Sequence, residues 1–291
     1  MLLHKQQDRQ TIKLNTVEPN YAEAIPSSKL LMSPVQIDID GPVATVSLNR
    51  PNNMNTVDLE MARSLYHISL KLCNDESVRA VIITGIGDKS FCAGGDLSAF
   101  AMHSDSIGNY IQEVTHYLHE AIICFARMNA PVITAINGVT AGAGIAFLGF
   151  PQLVLASNSA CFVSAYTKAG LTPDGSSTWF LPRLIGMRRT QEFIFTNRML
   201  SANEALEWGL INQVLDAKEL LNEARKKAYE FAAGPRMAFG RIKDLLNNSF
   251  STSIETQMKQ EALYLSKSAQ SVDGQTGITN FLSKSKSHFT D

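Results

Sequence analysis

Residues 131–144 read PVITAINGVTAGAG, an apolar run of strand type that breaks into a turn carrying three glycines and then into small residues. A short apolar run closed by glycine is the pattern of a strand buried on both faces, as in parallel sheets. The same order occurs upstream, where AVIITG (80–85) is followed by FCAGGD (91–96). Each glycine turn has two readings: a tight connection that packs a helix close to a sheet, or a backbone cradle for a ligand. In the first turn, Gly94 and Gly95 let the backbone approach a ligand and leave the Gly95 N–H able to donate. In the second, a helix predicted from about Gly142 leaves unpaired N–H groups at its N-terminus, where negative charge is favoured. Neither turn contains GxxxxGK[ST], which excludes a P-loop.

Working outward, VQIDID (35–40) and ATVSLN (44–49) alternate apolar and polar residues across Gly41-Pro42, predicting a hairpin. Helical spacing covers 57–72, with Thr56 as its cap, and 107–127. Strands are expected over 153–157 and 160–163. Beyond Pro182 the pattern is helical: 189–196, 201–209, 217–233, 237–246 and 254–269. Ser201 and Glu204 have the spacing of a capping box. The fold class is therefore α/β, with strand–helix alternation followed by an all-helical tail.

One further stretch points to chemistry. AYTKAGLTPDGSSTWFLPRLIG (165–186) sets Asp174 on a Pro-Asp-Gly turn, with Ser176, Ser177 and Thr178 able to cap the helix that follows. Two loops that present N–H groups, together with a carboxylate, suit reaction at a carbonyl. Spacing alone leaves Asp174 equally readable as a turn residue. His116 and His119 lie one turn apart on the 107–127 helix, where a half-buried histidine with no chemical role is the commoner case, and Tyr166 reads as core.

The chain has 291 residues, 45% of them hydrophobic, with 26 basic against 27 acidic side chains. That length supports a large core, and the charge balance gives no support for a nucleic-acid or membrane partner. Cys73, Cys92, Cys124 and Cys161 are widely spaced without a CxxC pair, so reduced thiols in a cytoplasmic protein are expected, and no metal site. Residues 1–34 are polar and without periodicity, predicting a disordered extension.

In this order, these motifs resemble the crotonase (enoyl-CoA hydratase/isomerase) superfamily from about residue 35 to 291. LNRPNNMN (48–55) resembles the family's opening motif, with Thr56 where alanine is usual. FCAGGDL and AINGVTAGAG resemble its two oxyanion-hole segments, and LSANEALEWGLINQVLD (200–216) resembles the helix-turn that ends the core. FLSKSKSHF (281–289) resembles the tail that helps cover coenzyme A, sometimes on a neighbouring subunit. The resemblance implies a spiral of ββα repeats over a core at 35–216, then an α-helical trimerisation region at 217–291. It also implies a trimer or dimer of trimers acting on acyl-CoA, with coenzyme A present as the thioester part of the substrate and no tightly bound cofactor. The N–H groups of Gly95 and Ala143 fall at the oxyanion-hole positions, and Ala93 at the adenine contact. Gly94, Asp96, Leu97 and Gly142 belong to the same ligand-binding segments, and Phe281 and Lys284 fall at coenzyme A contacts. Residues 101–110 fall where the family forms part of its acyl pocket.

The departures bear on the reaction. The two glutamates of family hydratases are replaced here by Ala146 and Tyr166, so ordinary hydration is not expected. Asp174 stands where isomerases of the family keep their acid/base, and GLTPDGSSTWFLPRLIG (170–186) is similar to the ring-epoxide and enoyl-CoA isomerase branch. The implied reaction is a double-bond shift with Asp174 moving the proton, and Tyr166 either bonded to Asp174 or positioning substrate. An alternative follows the family's chlorobenzoyl-CoA dehalogenases, with Asp174 as nucleophile and His119 activating water. A non-catalytic acyl-CoA-binding subunit would show damaged glycine loops, and both loops are intact in sequence.

Overall fold

Alternation between two sheets organises this chain. A computed structural model describes residues 33–290. Strands β1 (Val35–Asp40) and β2 (Val43–Leu48) form an antiparallel hairpin, followed by helix α1 (Leu59–Asn74). Strands β3 (Ala80–Gly85) and β4 (Ser90–Cys92) lead to α2 (Leu97–Met102) and the long α3 (Ile107–Arg127). Strands β5 (Val132–Ile136) and β6 (Val139–Ala141) lead into a 3₁₀ segment, Gly142–Leu148. After β7 (Leu153–Ser157) and β8 (Cys161–Val163) come a 3₁₀ turn at Tyr166–Ala169, α4 (Ser177–Leu184) and α5 (Gly186–Thr196). Strand β9 (Leu200–Ser201), α6 (Ala202–Trp208) and β10 (Gln213–Leu215) complete the sheets. Helices α7 (Leu220–Ala232), α8 (Arg236–Asn248), α9 (Ile254–Gln270) and α10 (Val272–Leu282) follow.

The units β3–β4, β5–β6 and β7–β8 each give their first strand to a six-stranded sheet, β1-β2-β3-β5-β7-β10, and their second to a four-stranded sheet, β4-β6-β8-β9, while both strands of the opening hairpin join the larger sheet. This is the expected spiral of ββα repeats, parallel except at β1–β2 and β8–β9. The central strands are apolar on both faces because both are covered. Ile82, Ile133 and Leu155 pack beneath α7, where Ala224, Ala228 and Ala232 let the helix sit close. Val81, Ile83, Val132 and Val154 point the other way, into the main core with Phe91, Phe125 and Phe147.

Several sequence expectations need correction. Asp58, not Thr56, caps α1, accepting the Met61 N–H at 2.9 Å. The segment from Gly142 is 3₁₀, not an α-helix. Ser176 does not cap α4: its backbone is left-handed and its hydroxyl turns to the Gly175 carbonyl. The capping box at Ser201 forms as predicted. Helices α2 and α10, and the three-residue strands β4, β6 and β10, have no counterpart among the predicted elements. Of the extension expected at 1–34, only Ser33 and Pro34 fall within the described residues, and their carbonyls accept from Asn49. Residues 33–290 belong to one compact unit, and residue 216 marks a change of structure type within it.

Helix α8 closes the end of α3. Lys243 is buried and its Nζ donates to Phe125 O at 3.0 Å and Ala130 O at 3.1 Å. A neutral amine carries two N–H bonds, one for each carbonyl. Burial pushes the Lys243 amine down to about 7, only partly opposed by Cys73. The Cys73 thiol donates to Cys124 O at 3.3 Å, and burial and the Cys124 thiol push it up to about 12.

Candidate active site

Both glycine turns end at one cavity of about 370 Å³. On the first, Ala93 N–H donates to Met54 O at 3.0 Å, Gly94 O accepts from Val57 N–H at 2.8 Å, and Asp96 N–H donates to Val57 O at 3.0 Å. These bonds fix the backbone on either side of Gly95, whose own N–H has no partner among the described residues. On the second turn, Gly142 N–H donates to Ser164 O at 3.2 Å, and Ala143 N–H likewise lacks a described partner. It lies in the first turn of the 3₁₀ segment, where such orphan donors belong.

The turns touch through Gly94, whose φ is +102°. A methyl group there would lie 3.2 Å from Ala141 O and 3.5 Å from Ala143 N. Glycine at 94 is thus required both by its backbone conformation and by the close approach that brings the two free donors to one wall.

The same cavity is lined by Asp174, half-buried on its turn, where its carbonyl accepts both the N–H and the hydroxyl of Ser177. The Tyr166 hydroxyl donates to Asp174 Oδ1. Burial first, then the Asp174 charge, pushes the Tyr166 phenol far above its ordinary value, so it stays a proton donor. His119 reaches over from α3, with Nε2 3.3 Å from Asp174 Oδ2. The same nitrogen accepts the Gly175 N–H at 3.1 Å. The ring's tautomer decides which of the two contacts Nε2 makes: unprotonated it accepts from Gly175, protonated it donates to Asp174.

Ala93, Gly94, Gly95, Leu97, Gly142 and Ala143 all line the cavity, as do Tyr166, His119 and Asp174. Asp96 does not. Its carboxylate caps α2 through Ser98 and Ala99 N–H, both at 3.1 Å, and pairs with Arg50 at 2.9 Å. Burial opposes its charge, but the Ala99 N–H and Arg50 outweigh burial and hold its carboxyl below the usual range. Asp96 holds the loop through these contacts. Phe281 and Lys284 are exposed at the C-terminal end and line no part of the cavity in the single chain. The wall expected from residues 101–110 comes instead from their neighbours Phe100 and Ile111. His116 is exposed and also lies outside the lining.

Two features escaped the sequence reading. Gly175 N–H orients His119, a contact 56 residues apart in the chain with no local signal. Gly175 also crowds Ala146: a methyl group on Gly175 would lie 2.6 Å from the Ala146 Cβ. Ala146 is buried against the Gly175 turn, so a glutamate there would have to enter packed surroundings.

Comparison with known proteins agrees with this arrangement. The family model described as enoyl-CoA hydratase/isomerase matches residues 38–291. The chain is 35% identical over 251 residues to 1,2-epoxyphenylacetyl-CoA isomerase of Escherichia coli (strain K12), covering 85% of this chain and 95% of the relative. It is 32% identical over 220 residues to 4-chlorobenzoyl coenzyme A dehalogenase-2 of an Arthrobacter species, covering 75% and 79%. A solved enoyl-CoA hydratase from Polaromonas sp. JS666 superposes with a TM-score of 0.84 at 28% identity, over 88% of this chain and 99% of that one. The chain belongs to the enoyl-CoA hydratase/isomerase family.

Proposed function

We propose that this protein is an acyl-CoA isomerase that shifts a double bond through an enolate, with Asp174 as its single acid/base. The observation that carries the reading is the cavity lining: Asp174 is its one carboxylate, and the same cavity is lined by Gly95 and Ala143, whose backbone N–H donors are unengaged among the described residues. The thioester oxygen accepts from Gly95 and Ala143, which stabilises the charge formed when C2 loses its proton. Removing one such donor typically costs about 10²–10³ in rate. Asp174 takes the C2 proton of a 3-enoyl-CoA and returns it at C4, giving the 2-enoyl-CoA. One carboxylate suffices because the base of the first step is the acid of the second. With Ala146 and Tyr166 at the other two positions, no second carboxylate activates water against the intermediate. The similarity to 1,2-epoxyphenylacetyl-CoA isomerase extends the reading to ring-epoxide substrates. Coenzyme A enters as part of the substrate, and assembly into a trimer or hexamer is part of the same proposal.

The proximity of His119 to Asp174 favours a second reading, in which Asp174 attacks an aromatic acyl group and His119 activates water. Against it, the Gly175 N–H competes for the same Nε2 that would have to take the proton from water.

The test uses 3-hexenoyl-CoA in deuterated water, with products resolved by mass spectrometry. The wild type is expected to form 2-hexenoyl-CoA that largely retains the substrate's own hydrogen, with little deuterium, and no 3-hydroxyacyl-CoA. Asp174→Asn is expected to lose about 10²–10⁴ in rate. A hydrated product, or full activity in the variant, overturns the proposal. Turnover confined to 4-chlorobenzoyl-CoA selects the second reading.

A further inference from the structure

The opening motif LNRPNNMN (48–55) lines no part of the catalytic cavity, yet it grips the loop that carries Gly95. Residues 54–57 and 93–96 run side by side in parallel. Ala93 N–H donates to Met54 O, Val57 N–H to Gly94 O, and Asp96 N–H to Val57 O, around a bridge between Val57 and Gly95. Where the Gly95 N–H lies is therefore set by where residues 54–57 lie. That segment turns through Met54 and Asn55, whose φ values of +54° and +53° fall in the left-handed region that residues other than glycine seldom adopt. The turn needs holding from outside. The buried Asn55 side chain accepts Arg50 N–H at 2.8 Å and donates to Ile86 O and Ser90 O, both at 3.0 Å.

Arg50 spans the two paired segments. Its Nη1 donates to Thr56 O, while Nη2 lies 2.9 Å from Asp96 Oδ2 and 3.0 Å from Asp58 Oδ2. The other oxygens of these carboxylates cap two helices, Asp58 Oδ1 for α1 and Asp96 Oδ1 for α2. The side chains of Arg50, Asp58 and Asp96 are only 18%, 20% and 9% exposed, so water screens their charges poorly. Two carboxylates that share one cationic nitrogen repel each other when it is removed. We infer that Arg50 is a positioning residue for the reaction, holding the Gly95 N–H in place through Asp96 and Thr56 without itself reaching the cavity. The inference rests on reading that N–H as an oxyanion donor. Without the cation, Asp96 moves away from Asp58 and carries Gly95 with it. A displacement of about 1 Å in such a preorganised group can cost about 10²-fold in rate. Lysine supplies the charge but lacks the second edge that reaches Thr56 O.

Cinnamoyl-CoA tests this, because its C4 carries no hydrogen and it binds without isomerising. Donors to its thioester oxygen move the absorption of the conjugated acyl group to longer wavelength. The wild type is expected to show that shift at saturation. Arg50→Met should lose most of it, with kcat for 3-hexenoyl-CoA falling about 10- to 10²-fold, while KM and cinnamoyl-CoA affinity stay within about threefold. Arg50→Lys should fall between the two, and it decides the matter if Arg50→Met does not fold. Adding Asp58→Asn to Arg50→Met removes one of the repelling charges but keeps a capping side chain, and should return part of the shift. A purely structural Arg50 would lower the thermal unfolding midpoint and leave the shift of the folded variants intact, which overturns the inference. No shift in the wild type overturns the oxyanion reading first, and the inference with it.

Discussion

Lys243 and Tyr166 are both pulled out of water, and only one of them faces an opening. Lys243 ends against two backbone carbonyls at the close of α3, and its amine is pushed down to about 7. Tyr166 ends on Asp174, and burial pushes its phenol up. Both titrations are displaced mainly by loss of hydration. The difference lies in what surrounds the displaced group. Around Tyr166 there is a cavity, a half-exposed carboxylate and two free backbone donors. Around Lys243 there is packed helix. A perturbed titration marks a functional site only when access and complementary donors accompany it.

The sharpest way to break this contrast is to add a charge where neither access nor a partner exists. Ala146→Glu would restore a carboxylate at the first hydratase position, under the Gly175 turn. Overpacking and a buried unpaired charge together should cost about 3 kcal/mol or more, seen as a lower urea midpoint, with no 3-hydroxyacyl-CoA formed. A stable variant that hydrates 2-enoyl-CoA would show that the space is available after all.

Next in size is Lys243→Met. It leaves the Phe125 and Ala130 carbonyls without their donor, a loss of about 1–3 kcal/mol in unfolding free energy. Turnover at a temperature where the variant is folded should stay within about twofold, since no step of the reaction touches α8. A large fall in kcat would mean that the two regions are coupled.

Tyr166→Phe tests the other side. It removes the donor from Asp174 Oδ1 but keeps the ring that packs beside it. Loss of one hydrogen bond to a charged group predicts a fall in kcat of about tenfold or somewhat more, with KM little changed. An unchanged kcat would reduce Tyr166 to a packing residue.

Much of this was legible in the chain because it is written locally. The strands β3, β5 and β7 are short apolar runs bounded by glycine, and the Ser201 capping box needs only four residues. The two glycine turns and Asp174 could be picked out one by one, but spacing could not say that they share a wall. That depends on Gly94 meeting Ala141 and Ala143 across two strands. The short strands β4 and β6 carry too few residues for a period to show. The partner of the Asp96 carboxylate could not be read from its motif either, because it is Arg50, 46 residues away. Thr56 lost the cap of α1 to Asp58, whose carboxylate reaches the Met61 N–H.

The smallest effect is in the pH dependence of stability, and it separates the two regions without any substrate. Lys243 titrates near 7 when folded against an ordinary value of 10.5. Between those values the unfolded chain holds a proton that the folded chain lacks, so stability rises with pH. The gain from pH 7 to 8 is about 1 kcal/mol, somewhat below the full one-proton slope because the folded lysine is half-protonated at the start. Cys73 and Cys92 act in the opposite sense. Their thiols are pushed up to about 12 from an ordinary 9.0, so above that value the folded chain retains protons the unfolded one sheds. Two thiols then outweigh one amine, and stability falls. The urea midpoint should therefore climb from pH 7, peak near pH 9 and decline. In Lys243→Met the rising limb should flatten while the decline persists, whereas Tyr166→Phe should leave the rise intact. A rise that survives in Lys243→Met would place its origin elsewhere, and the contrast between the packed amine and the phenol at the cavity would have to be redrawn.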